Sequence, residues 1–175
     1  MNCPCASNWL TSENQENKQF TFWSVAARSL LRNSLFTVSE VREALPKRML
    51  IASTVDIDLR FMGVRFNQSD LDVWEMILHF ARLQSLGHKV QFSAHSFLKA
   101  LGRNIDTEQF EQLKEETARL LGGTIEITWK NEKKTFIGGL IEKIYRDDET
   151  QEYILILNEK FVHLFNSSHA LSYPD

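Results

Sequence analysis

The order of sequence patterns over residues 66–127 constrains the fold of this chain more than any other stretch. It reads as the end of a strand, a helix, a short strand, a second helix, a tight turn, a third helix and another strand. The first helix opens near Ser69, which can cap it together with Asp72 three residues later, as in a capping box. Its buried face is predicted from apolar residues at helical spacing: Trp74, Ile77, Leu78 and Ala81.

Two further helices follow, and each ends at a glycine. Ser93 caps the second helix, which stops at Gly102, because glycine readily takes the left-handed conformation that ends a helix. Asp106 or Thr107 caps the third, which stops at the glycine pair 122–123. This order is typical of a winged helix-turn-helix, a device that lays one helix into a DNA groove. The predicted fold class is α+β, a winged helix-turn-helix with an antiparallel β meander that includes the wing.

The second half of the chain has the alternating pattern of β-strands. We predict a three-stranded antiparallel meander from residues 124–129, 135–144 and 152–157, whose first hairpin, with the charged turn 130–134, is the wing. An upstream hairpin is expected over residues 50–66, with its turn at Met62 and Gly63, after a mixed connector broken at Pro46.

Composition limits the possible function classes. The 175 residues fit one domain that can bury a core without disulfides or metals. The net charge is −3, whereas a stand-alone DNA-binding domain is usually positive, because neutralised phosphates supply much of its affinity. No apolar run approaches the roughly 20 residues that span a membrane, and the polar start is not a secretory signal. We therefore expect a cytoplasmic protein without a membrane partner.

The domain boundaries follow from polarity along the chain. Residues 1–19 are polar and are expected to form a disordered tail, in which Cys3 and Cys5 are reduced thiols. Residues 20–165 are the predicted winged-helix domain. Residues 166–175 are a short polar C-terminal tail.

Three stretches carry a more specific signal: RNSLFTV at residues 32–38, VRFNQSDLDVWEMILHFARLQSLGHKVQFSAHSFLKALG at residues 64–102, and LNEKFVHLF at residues 157–165. They resemble the TrfA family of plasmid replication initiators. The resemblance extends over most of the chain, from about residue 22 to residue 165.

The resemblance implies a function in bacterial plasmid DNA replication. Such initiators are similar to a wider group in which two winged-helix domains lie in tandem and bind iterons, the repeated sequences of double-stranded plasmid origin DNA. In that group dimers are the stored form, monomers bind the iterons and open the origin, and the host replicative helicase is recruited. The first winged helix carries dimerisation and some DNA contact.

The chain departs from this pattern in two ways. It stops where a second winged helix would begin, so we expect an N-terminal winged-helix domain with the second one absent. The predicted recognition helix is also acidic, because four glutamates at 108, 111, 115 and 116 stand against only Lys114 and Arg119. Carboxylates close to phosphates are unfavourable. One possible internal pair is Glu115 with Arg119, at i and i+4.

Candidate DNA contacts lie on the helix-turn-helix and on the charged turn 130–134. They are Arg103, Thr107, Lys114, Arg119, Lys130, Lys133 and Lys134. The alternative for the helix is a solvated face or a protein contact. The alternative for the turn is protection of a hairpin edge, for which lysine is commonly used.

Chemistry other than DNA binding has little support in the sequence. Asp56 and Asp58 could share a cation on one strand face, but no glycine-rich phosphate loop or acidic network accompanies them. The histidines lie without a partner at metal-ligand spacing, and no nucleophile–base arrangement is visible. We expect no catalysis, no metal and no cofactor. The aromatic residues fall on inward positions, which favours core over a single-strand stacking platform.

A second hypothesis assigns this domain to protein interaction and dimerisation, with little DNA binding of its own. Self-association would then use a strand edge, at residues 55–61 or at residues 152–157. The acidic third helix favours this alternative.

Overall fold

The computed structural model describes residues 25–84 and 87–166. Its helices are α1 (Val25–Leu35), α2 (Gln68–Gln84), α3 (Ala94–Ala100), α4 (Thr107–Gly122) and α5 (Glu159–Asn166). Its strands are β1 (Phe36–Thr37), β2 (Ala44–Ser53), β3 (Ile57–Val64), β4 (Phe66–Asn67), β5 (Lys89–Ser93), β6 (Thr124–Trp129), β7 (Lys134–Gly138), β8 (Ile141–Asp147) and β9 (Glu152–Leu157). The predicted tails lie outside the described residues, as do Cys3 and Cys5, except that Asn166 ends α5.

The helix-turn-helix is formed by α3 and α4, and α2 packs across α4. The Ser93 side chain accepts a hydrogen bond from the backbone N–H of Ser96 at the start of α3, as predicted. Asp106 caps α4 by accepting from the backbone N–H of Gln109 at 2.8 Å. Gly102 has a φ of +70°, the left-handed conformation that lets the chain turn between the two helices.

The N-terminus of α2 is capped differently from the prediction. Asn67 and Asp70 bond reciprocally, because the Asn67 side chain accepts from the Asp70 N–H at 3.1 Å and the Asp70 carboxylate accepts from the Asn67 N–H at 3.0 Å. The helix therefore begins one residue before Ser69, and the acid of the capping box is Asp70 rather than Asp72.

The strands form two antiparallel sheets and one short parallel pair. The larger sheet has the order β2-β3-β6-β7, the smaller has the order β5-β9-β8, and β1 pairs with β4. The predicted meander is thus divided, since the chain leaves the larger sheet after Gly138 and enters the smaller one at Ile141. The β8–β9 hairpin pairs with β5, the strand between α2 and α3, and this hairpin is the wing. The predicted wing, with turn 130–134, belongs to the other sheet.

The upstream hairpin also differs in detail. Its turn lies at residues 54–56 instead of Met62 and Gly63, because β3 continues through both of those residues. Strand β2 runs through Pro46, which the sequence pattern placed in a connector. Pro46 is accommodated because β2 is an edge strand, where a missing backbone N–H breaks no ladder hydrogen bond.

One hydrophobic core joins the helices to the inner faces of both sheets. Under the wing sheet, the Phe92 ring stacks on Phe97 at 4.4 Å and on Tyr153 at 5.3 Å between ring centroids. Under the larger sheet, Phe66 lies 5.1 Å from Phe61, and a Cβ on Gly123 would collide with the Phe66 ring. Among the described residues, no helix is both long and apolar enough to cross a membrane.

The strand edges proposed for self-association are wrong. Residues 57–61 belong to β3, which pairs with β2 on one side and β6 on the other. Residues 152–157 form β9, which lies between β5 and β8. Both are central strands whose backbone groups are already paired, so the edges of the larger sheet are instead β2 and β7.

Candidate nucleic-acid interface

The contact between α2 and α4 contains a fully buried carboxylate, Asp70. Arg119 of α4 donates to one oxygen of Asp70 through Nε at 3.1 Å and through Nη2 at 2.9 Å. Arg42 donates to the other oxygen at 3.2 Å. A buried charge is tolerated when it is paired and hydrogen-bonded. Arg119 is a predicted DNA contact, and in this structure its guanidinium faces inward.

A second buried carboxylate, Glu116, lies one turn earlier on α4. Arg103 donates to it at 2.8 Å and also to the Ser69 hydroxyl at 3.1 Å. Ser69 and Gln112 donate to the other carboxylate oxygen. The sequence pattern predicts Glu116 as part of an acidic recognition helix, but its side chain is buried and does not contribute to the exposed surface. Arg103, another predicted DNA contact, forms an ion pair with Glu116.

The outward face of α4 remains acidic without Glu116. Glu108, Glu111 and Glu115 are all exposed there. Lys114 pairs with Glu111 at 2.7 Å, and Thr107 is exposed at the start of the helix. The possible pair between Glu115 and Arg119 is not formed, because Arg119 binds Asp70. The helix that a winged-helix protein commonly lays into a groove therefore presents carboxylates to solvent.

The turn between β6 and β7 contributes the remaining predicted contacts. The Lys130 ammonium donates to the Ser53 hydroxyl at 3.0 Å and to the Thr54 carbonyl at 2.6 Å, and pairs with Asp58 at 3.0 Å. Hydrogen bonds from Ser53 and Lys130 lower the pKa of Asp58. Lys130 thus fastens this turn to the turn between β2 and β3.

The charge at this tip is balanced. Lys134 pairs with Glu132 at 3.3 Å. Asn131 donates to Asp56 at 2.8 Å, which brings a further carboxylate to the tip. Three lysines (130, 133 and 134) therefore lie with three carboxylates (56, 58 and 132). Of these lysines, Lys133 is exposed and forms no ion pair in the described part of the chain.

The tip of the β8–β9 wing is acidic. Asp147 accepts hydrogen bonds from the backbone N–H groups of Thr150 at 3.1 Å and Glu149 at 2.9 Å, and these bonds lower its pKa. Asp148 pairs with Arg146 at 2.7 Å. A wing that follows phosphates would be expected to carry cations at this position.

The outer face of the wing sheet carries lysines that are not among the seven predicted DNA contacts. Lys89 of β5 and Lys143 of β8 both pair in register with Ile156 of the central strand, so they flank it on one face. The next row on the same face is Gln91, Ile154 and Tyr145. A signal was available in the sequence, because Lys89 and Gln91 alternate with the core residues Val90 and Phe92.

Metal binding at the acidic pairs finds no support in their geometry. Asp56 and Asp58 are each engaged by neighbouring side chains, and Asp70 is bound by arginines. Within residues 25–84 and 87–166, no group of three or more His, Cys, Asp or Glu is placed to hold a metal ion.

Comparison with known proteins places these features in a family. Residues 20–173 match the sequence model of the family described as TrfA protein. A plasmid replication initiator protein TrfA from Escherichia coli is 23% identical over 145 residues, which cover 79% of this chain and 38% of that protein. The chain therefore spans about two fifths of the length of this relative.

Two solved structures share the fold. A crystal structure of domains 2 and 3 of RctB superposes with a TM-score of 0.64 at 9% identity, covering 87% of this chain and 64% of that one. A second structure of RctB domains 2–3 gives a TM-score of 0.62 at 10% identity, covering 82% and 60%.

The element order α2-β5-α3-α4, closed by the β8–β9 hairpin on β5, defines a winged-helix domain. The chain belongs to the TrfA family of plasmid replication initiators. This membership agrees with the expectation that the protein is not an enzyme. The predicted fold class and family resemblance are both confirmed.

Proposed function

We propose that this chain acts in plasmid replication initiation as a winged-helix domain that binds double-stranded origin DNA at iterons and forms dimers. The observation that carries the proposal is the helix-turn-helix of α3 and α4, with its wing, in a chain of the TrfA family. Such a role would place the protein in the bacterial cytoplasm. The further partner that the family implies is a host replicative helicase.

The geometry ranks the seven predicted DNA contacts. Lys133 and Thr107 extend into solvent and can reach a phosphate without breaking an ion pair of the described residues. Lys114, Lys130 and Lys134 would first exchange a carboxylate partner for a phosphate. For Arg103 and Arg119 we propose a positioning role instead, because each neutralises a buried carboxylate.

Fluorescence anisotropy of a labelled duplex, titrated with the full chain between about 50 and 200 mM salt, tests DNA binding. We expect weak association that falls steeply with salt. Lys133→Ala should reduce the slope of log affinity against log salt by about 1 if Lys133 contacts a phosphate. Lys47→Ala, an exposed lysine on β2, is the matched control. Absence of any binding by the unaltered chain at low salt would contradict DNA binding by this domain.

Dimerisation has a candidate surface at the β2 edge. This ten-residue edge strand leaves Met49 and Leu50 about half exposed, at 50% and 53%. An edge strand with exposed apolar side chains can pair with a second chain. Lys47 and Arg48 beside them would restrain non-specific pairing.

Sedimentation velocity tests this edge. Leu50→Glu should raise the monomer fraction, because a carboxylate would be placed within the paired edge. Val38→Glu, at an 86% exposed position outside the strands, should leave the fraction unchanged. A chain that stays monomeric at its highest soluble concentration would remove the dimerisation proposal.

A further inference from the structure

On the outer face of the wing sheet, two exposed lysines flank one strand without a carboxylate partner among the described residues. We call this surface the lysine face, and its members are Lys89, Gln91, Lys143, Tyr145, Ile154 and Ile156. Lys89 and Lys143 are exposed and form no ion pair with any residue that the structure describes. They lie two strand spacings apart across β9, which is about 10 Å.

We propose that the lysine face contacts the sugar–phosphate backbone of duplex DNA. The proposal rests on the proposed function and adds a contact surface to it. Two lysines about 10 Å apart on flexible stems can each neutralise one phosphate. The Gln91 amide and the Tyr145 hydroxyl lie in the next row and can donate hydrogen bonds to backbone oxygens.

The charge distribution along this face limits where DNA can lie. The row at the opposite end of the strands consists of Ser93, Glu152 and Asp147. These carboxylates, together with the acidic wing tip, disfavour a phosphate near the turn. Duplex DNA is therefore directed to the end of the sheet that holds Lys89 and Lys143.

The face suits a nucleic-acid backbone better than a protein partner. Ile154 and Ile156 are already half-buried, so Tyr145, at 57% exposure, is the one large hydrophobic residue of this face that stands out in solvent. A protein interface usually has a larger apolar centre. The β5 edge is occupied as well, because the Gln84 side chain bonds both the N–H and the carbonyl of Gln91.

The other surfaces where this fold could meet phosphates are less favourable. The outward side of α4 presents three glutamates, and the tip of the β6–β7 hairpin has balanced charge. Arg103 and Arg119 point inward to buried carboxylates. By charge, the lysine face is therefore a better candidate than α4 or the β6–β7 tip for the electrostatic part of DNA affinity.

The test compares two double variants of the full chain by anisotropy of the same labelled duplex over a salt series. Lys89→Gln with Lys143→Gln removes two charges from the lysine face. Lys47→Gln with Arg82→Gln removes two exposed cations from β2 and α2 and changes the net charge equally. Circular dichroism melting confirms that both variants fold.

We expect the first variant to lose about tenfold in affinity at low salt and about 2 from the salt slope, and the control to bind nearly as the unaltered chain. The inference is overturned if the unaltered chain binds and the first variant binds equally well, or if both variants weaken alike; the proposed DNA binding would survive either result. If the unaltered chain does not bind at all, both proposals fail together.

Discussion

The α2–α4 crossing and the β8–β9 wing place the same kinds of charged residue in opposite environments. At the crossing, Asp70 and Glu116 are fully buried and each is held by an arginine. On the wing, Asp147 and Asp148 are exposed, and Lys143 stands free of ion pairs within the described residues. Charges at the crossing fix the position of α4, whereas charges on the wing are available to a partner. The sign of a side chain alone does not tell which of these roles it has.

The largest effect on the free energy of unfolding should come from removing an arginine of the α2–α4 crossing. Arg119→Ala leaves Asp70 buried with Arg42 as its remaining cation. Breaking a buried pair from one side is costly, so we expect a loss of about 3 kcal/mol in the free energy of unfolding. Urea denaturation measures it.

The matched control for Arg119 lies on the wing. Arg146 also pairs with an aspartate, at 2.7 Å, but that partner, Asp148, is 67% exposed. Arg146→Ala should therefore cost about 1 kcal/mol or less. Equal losses in the two variants would break the contrast between the regions.

A smaller loss in the free energy of unfolding is expected when Glu116, the second buried carboxylate, loses its arginine. Arg103→Met should destabilise by about 2 kcal/mol, because Glu116 keeps its hydrogen bonds from Ser69 and Gln112 but loses its cation. Adding Glu116→Gln should restore part of the loss, since a neutral amide does not require a cation. A double-mutant cycle in urea should give a coupling of about 1 kcal/mol or more. Additive effects would mean that the pair does not act as a unit.

Much of the helical part of the fold is predictable from local patterns. The glycine stop at Gly102 and the Ser93 cap were correct because caps and stops depend on a few adjacent residues. The buried carboxylates were also visible in principle. Glu116 lies between Leu113, Thr117 and Leu120 on one helical stripe, and Asp70 precedes Trp74 by four residues. An acid on an apolar stripe predicts a buried ion pair.

The sheet assignments were not predictable in the same way. Strand β6 pairs with β3, more than sixty residues earlier, and the chain changes sheets between Gly138 and Ile141. Alternation shows that a strand is half-buried but not which partner it has. The wing was therefore assigned to the wrong hairpin, and with it the lysines at 130, 133 and 134. Alternation places Lys89 on the outer face of its strand, but that Lys143 flanks the same central residue, Ile156, follows only from the register of three strands.

The smallest expected effect on stability is at the wing tip, and it depends on pH. Backbone hydrogen bonds from Thr150 and Glu149 lower the pKa of Asp147 below its ordinary value of 3.8. Because the pKa is lower in the folded state, this carboxylate stabilises the tip at pH values above 3.8, and the contribution is lost as the pH falls through the folded value. Asp147→Asn should lower the melting temperature slightly at pH 7, and the difference from the unaltered chain should disappear in strong acid. Thermal melts over a pH series measure this difference.

Glu149→Gln removes a carboxylate from the same tip without removing an acceptor of the turn, and should leave the melting temperature at pH 7 unchanged. A difference for Asp147→Asn that persists in acid, where the Asp147 carboxyl is neutral, would show that the amide disturbs the turn itself and that the charge of Asp147 is not what stabilises the wing tip.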